Sequence, residues 1–382
     1  MTIQKEKFMK IKSNTIYKLI WSVLIFILMS LISACGSTNG LSGAAGLDGE
    51  TTTPSVEATE TVTATPIATP IPLPTGHIVF VSDRDGASNL YMTSPDGVEQ
   101  TRLTTSNSKD TDPQVSPDGK KVAFVSTVDN NMDIYILDIP SRSITRVTDA
   151  LEKDSAPSWS PDGRRLAFES FRDGNFEIYI ANADGSNTIR LTDDPAGDSN
   201  PVWSPVADEI VFVSNRFGNA DLLILTPNGS VSTLTTNVAP DTSPAWSPNG
   251  TMIAFKKYSD KIADVCLIGR DGLNQHCLTT APSEYSTPVW SPNGLSLAVN
   301  AKQAAGYGVD IFNVADGSVV QLYSEGIQPL GAPIWSPDGL RIVFQAQTGG
   351  DMELYMATVM TNEFLRITST PAFEDEPVWT SQ

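Results

Sequence analysis

The sequence repeats one short motif at a nearly constant interval. The motif is Trp-Ser-Pro-Asp-Gly or a close variant, and successive first positions are separated by 44, 44, 43, 44, 45 and 44 residues. A period in this range indicates a repeat architecture in which each unit packs against its neighbours. The first positions of the motif are Val115, Trp159, Trp203, Trp246, Trp290, Trp335 and Trp379.

Each repeat is predicted to form four short β-strands joined by tight turns. In the unit that begins near Trp159, the stretches 165–169 and 177–180 are predicted strands, and Asp184-Gly185 is typical of a hairpin turn. Four antiparallel strands in about 44 residues match one blade of a β-propeller. Because the repeats contain no long segment with helical periodicity, an alternation of strands and helices is disfavoured.

Two columns of mostly aromatic residues run through the repeats and predict the packed centre of each blade. The second strand contributes Phe80, Phe124, Phe168, Phe212, Phe255, Val299 and Phe344. The third strand contributes Tyr91, Tyr135, Tyr179, Leu223, Cys266, Phe312 and Tyr355.

The phase of the repeats predicts how the ring closes. The folded part starts with a second strand at His77 and ends with a first strand at 376–379. We therefore predict an all-β, seven-bladed propeller over residues 77–382. Blade 1 takes its innermost strand from the C-terminus and its other three strands from the N-terminal end, which removes free sheet edges.

The N-terminal segment has the features of a targeting signal. A lysine-rich head precedes an apolar run at 19–34, and small residues stand before Cys35. This pattern predicts a secretory signal over residues 1–34. It resembles the lipobox of bacterial lipoproteins, and the resemblance implies that Cys35 is lipidated; an uncleaved membrane anchor is the alternative. In both cases we expect the bulk of the chain outside the cytoplasm, held to the cell membrane or the outer membrane.

Residues 35–76 are predicted to form a tether between Cys35 and the propeller. The segment is rich in threonine and proline and lacks aromatic residues, so it cannot bury enough apolar surface to fold. The formal net charge of the whole chain is -19. This charge argues against a nucleic-acid partner, whose phosphates would be repelled. It is consistent with cations, with basic partners, or simply with solubility.

The repeat resembles that of a known family. Its pattern is Pro-x-Trp-Ser-Pro-Asp-Gly, then a strand of the Ile-Ala-Phe type, then Ile-Tyr, Asp-Gly and Arg-Leu-Thr. This pattern resembles the TolB-type, WD40-like β-propeller repeat over residues 77–382. The chain counts seven blades where TolB has six, and it lacks the separate N-terminal α/β domain of TolB. The resemblance implies a TolB-like propeller of the bacterial cell envelope that binds a partner.

One column of acidic residues stands five positions before each motif. We expect it in the loop that leads into the innermost strand, near the mouth of the central channel. The carboxylates could together hold Ca²⁺, or each could bond the backbone of its own loop. The column contains Asp110, Asp154, Asp198, Asp241 and Glu374, and it is broken by Tyr285 and Leu330. The break predicts an apolar sector in the mouth, suited to a specific partner.

Other residues of chemical interest are few. The motif tryptophans could form a ligand-stacking ring, but their regular repetition favours packing between blades. The two histidines, His77 and His276, cannot form a three-histidine metal site, and no Gly-x-Ser-x-Gly elbow occurs. Cys266 and Cys277 flank a predicted Asp-Gly turn and stand opposite each other on neighbouring strands. They form either a disulfide, which the expected compartment permits, or two free thiols.

Two hypotheses of function follow from these patterns. The first is a membrane-anchored binding or scaffolding module that presents its loops to a protein or a glycan. The alternative is an envelope enzyme that acts on polysaccharide through carboxylates at the channel mouth, since paired carboxylates perform such chemistry. The sequence contains no recognisable catalytic constellation and predicts no cofactor beyond the candidate Ca²⁺.

Overall fold

A computed structural model describes residues 71–128, 130–279 and 283–380 of the chain. These residues form 28 β-strands arranged in seven four-stranded antiparallel sheets, so the predicted all-β, seven-bladed propeller is confirmed. The predicted signal (1–34) and the first part of the tether (35–70) lie outside the described residues. Within the described part of the chain, no helix is long and apolar enough to cross a membrane.

The strands follow one another from the innermost to the outermost position of each blade. Blade 1 contains β1 (His77–Ser82), β2 (Asn89–Thr93) and β3 (Gln100–Arg102); blade 2 contains β4 (Lys109–Val115), β5 (Lys121–Val128), β6 (Asn131–Asp138) and β7 (Ile144–Arg146); blade 3 contains β8 (Asp154–Trp159), β9 (Arg165–Ser170), β10 (Glu177–Asn182) and β11 (Ile189–Arg190); blade 4 contains β12 (Asp198–Trp203), β13 (Ile210–Ser214), β14 (Asp221–Leu225) and β15 (Val231–Thr233). Blade 5 contains β16 (Asp241–Trp246), β17 (Met252–Ser259), β18 (Ile262–Gly269) and β19 (His276–Cys277); blade 6 contains β20 (Val289–Trp290), β21 (Ser296–Gln303), β22 (Gly306–Asn313) and β23 (Val319–Leu322); blade 7 contains β24 (Gln328–Trp335), β25 (Arg341–Thr348), β26 (Asp351–Thr358) and β27 (Glu363–Arg366). The last strand, β28 (Glu374–Thr380), returns to blade 1.

The two ends of the propeller pair in blade 1. Strand β28 lies antiparallel to β1, with Ile78 opposite Trp379 and Ser82 opposite Glu374, and the sheet order is β28-β1-β2-β3. The chain enters β1 through Gly76, whose φ is +95°, and a Cβ there would lie 2.0 Å from the carbonyl oxygen of Thr380. Only glycine fits such an approach. The predicted closure is therefore confirmed.

The hydrophobic core lies between the blades. The described residues contain seven buried clusters, and each joins two neighbouring sheets, including one between blade 7 and blade 1. For example, Val211 and Val213 of blade 4 pack with Trp246 and Phe255 of blade 5. Each sheet therefore depends on both neighbours for the burial of its apolar surface.

The motif tryptophans link consecutive blades. The indole Nε1 of Trp159 donates to the carbonyl oxygen of Gln114 in the preceding blade at 2.9 Å. Trp246, Trp290 and Trp335 make the same bond at 3.0, 3.0 and 3.1 Å. Because these indoles are buried between sheets and bonded to backbone, the predicted packing role is confirmed and a ligand-stacking ring is excluded.

The predicted third-strand column is wrong in blade 6. The register of β21 and β22 places Asp310, not Phe312, opposite Val299. The sequence prediction followed aromatic identity, whereas the hairpin register sets the position by residue count. A buried carboxyl group therefore stands where four other blades have tyrosine.

One pair of facing residues joins the third and fourth strands of every blade. It is a tyrosine opposite an arginine in blades 1, 2, 3 and 7, leucine opposite threonine in blade 4, and Asp310 opposite Gln321 in blade 6. In blade 5 the pair is Cys266 and Cys277, which the structure joins in a disulfide in the predicted register. The disulfide therefore takes the place of a cross-strand contact that links the outermost strand to its blade.

The end of the predicted tether packs against the propeller. The Arg341 guanidinium donates to the carbonyl oxygen of Ile71 at 2.7 Å, and the Trp379 indole donates to that of Thr75 at 3.1 Å. The sequence predicts a free spacer as far as residue 76, but Ile71 and Thr75 are already held by blades 7 and 1.

Deleting residues 375–382 should open the ring, because it removes most of the partner strand of β1. We expect the melting temperature to fall by about 10 °C or more, since closure also buries the cluster between blades 7 and 1. Differential scanning calorimetry would measure this change. The control is deletion of residues 381–382, which leaves β28 whole. Equal melting temperatures for the longer deletion and the full chain would contradict the closure.

Candidate binding site at the channel mouth

The innermost strands give the ring two distinct faces. They are β28, β4, β8, β12, β16, β20 and β24, and each ends at its motif tryptophan, except that β4 ends at Val115 and β28 ends one residue past Trp379. We call the face where these strands end the motif face, and the face where they begin the mouth face. The predicted acidic column lies at the mouth face.

The acidic column lies within the innermost strands, not in the preceding loops. Asp154, Asp198, Asp241 and Glu374 are the first residues of their strands, and Asp110 is the second. All five side chains are buried, at no more than 1% exposure. The sequence prediction began these strands too late because it read only the residues next to the motif. The position pairs across strands with a serine in four blades, namely Ser82, Ser126, Ser170 and Ser214.

Arginines of the same blades neutralise three of these carboxylates. The guanidinium of Arg172 lies 3.1 Å from both oxygens of Asp154, and that of Arg84 lies 2.9 Å from both oxygens of Glu374. Arg216 approaches Asp198 at 2.8 Å. These carboxylates are therefore bonded to side chains of their own blade, which agrees with a structural role, although the partners are not the backbone groups that the sequence suggested.

Two carboxylates of the acidic column retain an oxygen with no hydrogen-bond partner among the described residues. They are Oδ1 of Asp198 and Oδ1 of Asp241. Burial raises the pKa of both aspartates. Within the described residues, no three acidic, histidine or cysteine side chains lie close enough together to hold a metal ion. Since Ca²⁺ takes about six to eight oxygen ligands, the calcium site stays a prediction.

The sequence reasoning missed a second set of residues, at a bulge in the innermost strands. The bulge residue has a positive φ in five blades, at Asp112, Ala156, Asn200, Ser243 and Glu376. In two cases the backbone N–H of this residue donates to a glutamate side chain of the neighbouring blade. Asp112 donates to Glu376 at 2.6 Å, and Asn200 donates to Glu169 at 2.9 Å. All five bulge residues lie three positions before the motif, and this constant spacing is the sequence signal that could have identified them.

The acidic column breaks in blades 6 and 7, where its serine partner is also absent. Alanine replaces the serine, at Ala301 and Ala346. In blade 7 the residue opposite Ala346 is Pro329, whereas the sequence count placed Leu330 there. The 45-residue step explains the difference, because blade 7 carries an extra residue in its bulge, where Gly331 has a φ of +65°. Loss of the carboxylate is thus accompanied by alanine at the serine position in both blades, whereas blade 5 keeps Asp241 opposite Lys257.

A cavity of about 540 Å³ opens on the mouth face at this break. Its walls come from blades 5, 6 and 7. We call it the mouth cavity; the residues that define its chemistry are Lys256, Tyr258, Lys261, Tyr285, Asn300 and Leu330. The break in the column predicted the apolar sector formed by Tyr285 and Leu330, but lysines and asparagine in the same wall were not predicted.

Asn300 is the most informative residue of the mouth cavity. Its side chain is 5% exposed, and its Nδ2 donates to the carbonyl oxygens of Leu330 and Gly331 at 2.8 and 2.9 Å. These two acceptors fix the orientation of the amide group. Oδ1 is then a buried acceptor without a donor among the described residues.

A buried carboxyl group lies beside this wall. Asp310 accepts from Gln303 at 2.7 Å and from Gln321 at 3.0 Å, and burial raises its pKa. Burial, together with the charge of Asp310, also raises the pKa of Tyr285. The tyrosine ring packs edge-on against Phe312, with 6.3 Å between the ring centres. Tyr285 therefore remains a neutral hydroxyl at physiological pH.

We predict that the raised pKa of Asp310 makes the wild-type propeller less stable as pH rises. Asp310 is protonated in both the folded and the unfolded state well below the ordinary carboxyl pKa. Between that value and the raised value only the unfolded state is ionised, so the free energy of unfolding falls across this interval. Asp310→Asn removes this effect. The free energy of unfolding of the variant, relative to that of the wild type, should therefore increase from pH 4 to pH 7. Urea midpoints of both proteins at the two pH values would measure it. A constant or shrinking difference would contradict the prediction.

Comparison with known proteins agrees with the fold. The family model of the TolB β-propeller domain matches residues 73–268. TolB from Acinetobacter baumannii is 21% identical, with a TM-score of 0.54 over 80% of this chain and 66% of that one. A search of curated proteins returned no match.

Two other solved structures share the architecture at low identity. Oligogalacturonate lyase from Vibrio parahaemolyticus is 16% identical, with a TM-score of 0.63 over 75% of this chain and 87% of that one. The β-propeller domain of the Trilobed protease from Pyrococcus furiosus is 16% identical, with a TM-score of 0.61 over 78% of this chain and 96% of that one. That domain has an open velcro topology, whereas β28 and β1 close the present ring.

The solved structures establish the fold alone, and they include both enzymes and a TolB. The family is shown by the model match, which covers about half of the chain, together with the repeat pattern and the closed seven-bladed ring. The chain belongs to the TolB β-propeller domain family.

Proposed function

We propose that this protein is an extracytoplasmic binding module whose ligand enters the mouth cavity of blades 5, 6 and 7. The observation that carries the proposal is the buried Oδ1 of Asn300, which has no donor among the described residues and belongs to a cavity wall that departs from the repeat. A buried acceptor without a partner costs about 1–3 kcal/mol. A ligand that supplies a donor would recover this energy, and it would be a protein or a glycan.

The proposal favours binding over catalysis because of where the mouth carboxylates lie. Asp154 and Asp198 are buried, and both are paired with arginines. A glycosidase needs two carboxyl groups that reach the substrate. Acidic residues that are held by their own blade are poorly suited to this role. The alternative of an enzyme acting on envelope polysaccharide therefore has less support, although similar propellers occur in a lyase and in peptidases.

The location is part of the proposal. The signal over residues 1–34 would export the chain, and a lipid on Cys35 would hold it to a membrane through the tether. Ile71 and Thr75 pack near the motif face, through Arg341 at the start of β25 and Trp379 near the end of β28. The mouth cavity opens on the opposite face. The described end of the tether thus packs on the face opposite the mouth cavity, and nucleic acid is not an expected partner.

The anchor is tested by Cys35→Ser. We expect the variant to leave the membrane pellet for the soluble fraction, because a thioether-linked lipid cannot form on serine. Fractionation of cells that produce each protein would measure the change. Retention of the variant in the pellet after a high-salt wash would show that the anchor at Cys35 is wrong.

The binding site is tested by filling the cavity. Full-length protein and Ala332→Trp would be used to capture ligands from native envelope extract, with Val206→Trp as the control, since Val206 is exposed near the motif of blade 4. We expect the captured component to be lost with Ala332→Trp and kept with the control. Equal capture by all three proteins would contradict the site. Release of sugar products that stops with Asp154→Asn would favour the enzyme instead.

A further inference from the structure

We propose that the mouth cavity binds an acidic saccharide, with the lysines holding its negative charge and the tyrosines its sugar rings. This inference rests on the proposed function and specifies the chemical class of its ligand. Three independent features of the wall support it: unpaired cations, an unsatisfied acceptor, and aromatic side chains.

The first feature is the charge of the wall. Every ion pair among the described residues is made by an arginine, so Lys256 and Lys261 have no carboxylate partner there. The amine of Lys256 lies 5.1 Å from the ring centre of Tyr258. The one acidic side chain in the lining, Glu284, accepts a hydrogen bond from the Tyr307 hydroxyl at 3.2 Å. In a chain with a net charge of -19, two free lysines in one cavity form a local site for an anion.

The second feature restricts the kind of anion. Oδ1 of Asn300 only accepts hydrogen bonds, so a ligand that satisfies this buried oxygen carries an O–H or N–H group. A fully deprotonated inorganic anion has no such group. A saccharide carries hydroxyl groups along its whole length, and a uronic acid adds a carboxylate. One sugar residue could therefore satisfy Asn300 and pair with a lysine at the same time.

The third feature favours a saccharide over an acidic peptide. Tyr258, Tyr285 and Tyr307 line the same cavity. Each presents an apolar ring and a polar hydroxyl, so the wall can contact the apolar face of a sugar ring and hydrogen-bond its edge. The cavity volume of about 540 Å³ is within the range of small-ligand sites. An extended acidic peptide could pair with the lysines, but its backbone offers no sugar ring for the three tyrosines to contact.

The inference is tested by calorimetric titration of the full chain with matched probes. The probes are a mannuronate oligosaccharide, the same oligosaccharide after carboxyl reduction, and a glutamate oligopeptide of similar length. We expect only the first to bind, more weakly as salt increases. The double variant Lys256→Met, Lys261→Met should lose about tenfold affinity per lysine, since each substitution removes a charged hydrogen bond to the ligand. Lys153→Met is the control, because Lys153 is exposed just before β8, away from the cavity.

Each other outcome would overturn the inference. Equal binding of the reduced oligosaccharide would exclude a role for the lysines. Binding of the glutamate peptide in place of the saccharide, if abolished by Ala332→Trp, would leave the proposed binding site intact and change the ligand class. Failure of all three probes, or an affinity unaffected by the double lysine variant, would mean that the cavity does not bind an acidic saccharide.

Discussion

The pairing of β28 with β1 is the constraint on which the rest of the structure depends. These strands are separated by almost the whole described chain, yet they are neighbours in one sheet. Every buried cluster joins two adjacent blades, so each blade has a complete core only when the ring is closed. A seven-bladed ring also holds its innermost strands in fixed positions around the channel. The relative placement of blades 5, 6 and 7, and hence the mouth cavity, follows from closure.

Much of the fold could be predicted because the repeat is regular. The spacing of the motif gives the number of blades, and the phase of its first and last copies gives the closure. The cysteine pair was predictable because residues around a two-residue turn face each other in a known register. The tryptophans were predictable as packing residues because a position repeated in every blade serves a need common to every blade.

The sequence predictions were wrong where a residue was assigned without knowledge of the strand register. Leu330 was assigned to the acidic position because an inserted residue in the blade 7 bulge cannot be located by counting back from the motif. Phe312 was chosen by its aromatic character, and the true position, Asp310, carries a charge that sequence patterns do not place in a core. The sequence prediction assigned the acidic column to loops because its partners are distant in sequence: serines on the next strand, as Ser126 is for Asp110, and arginines just after that strand, as Arg172 is for Asp154.

Residues that are partners in most blades are replaced together in others, and these joint replacements explain where a site can form. Where the tyrosine of the third strand is lost, its arginine partner is lost too, and a disulfide, an Asp310–Gln321 pair or a Leu223–Thr233 pair replaces them. Where the carboxylate at the mouth is lost, its serine becomes alanine. Blade 6 shows both changes, and it contributes Asn300 and Tyr285 to the mouth cavity. The proposed binding site therefore lies where the residue pairs of the other blades are missing.

The most direct test restores the repeat in blade 6. The double variant Tyr285→Asp, Ala301→Ser would reinstate the carboxylate–serine pair of blade 2, where Asp110 is bonded by Ser126 at 2.6 Å without an arginine. Melting temperature and ligand capture from envelope extract would be measured on the same preparation. The account predicts a variant that still melts cooperatively and no longer captures the ligand. A variant that melts like the wild type and still captures the same ligand would contradict it.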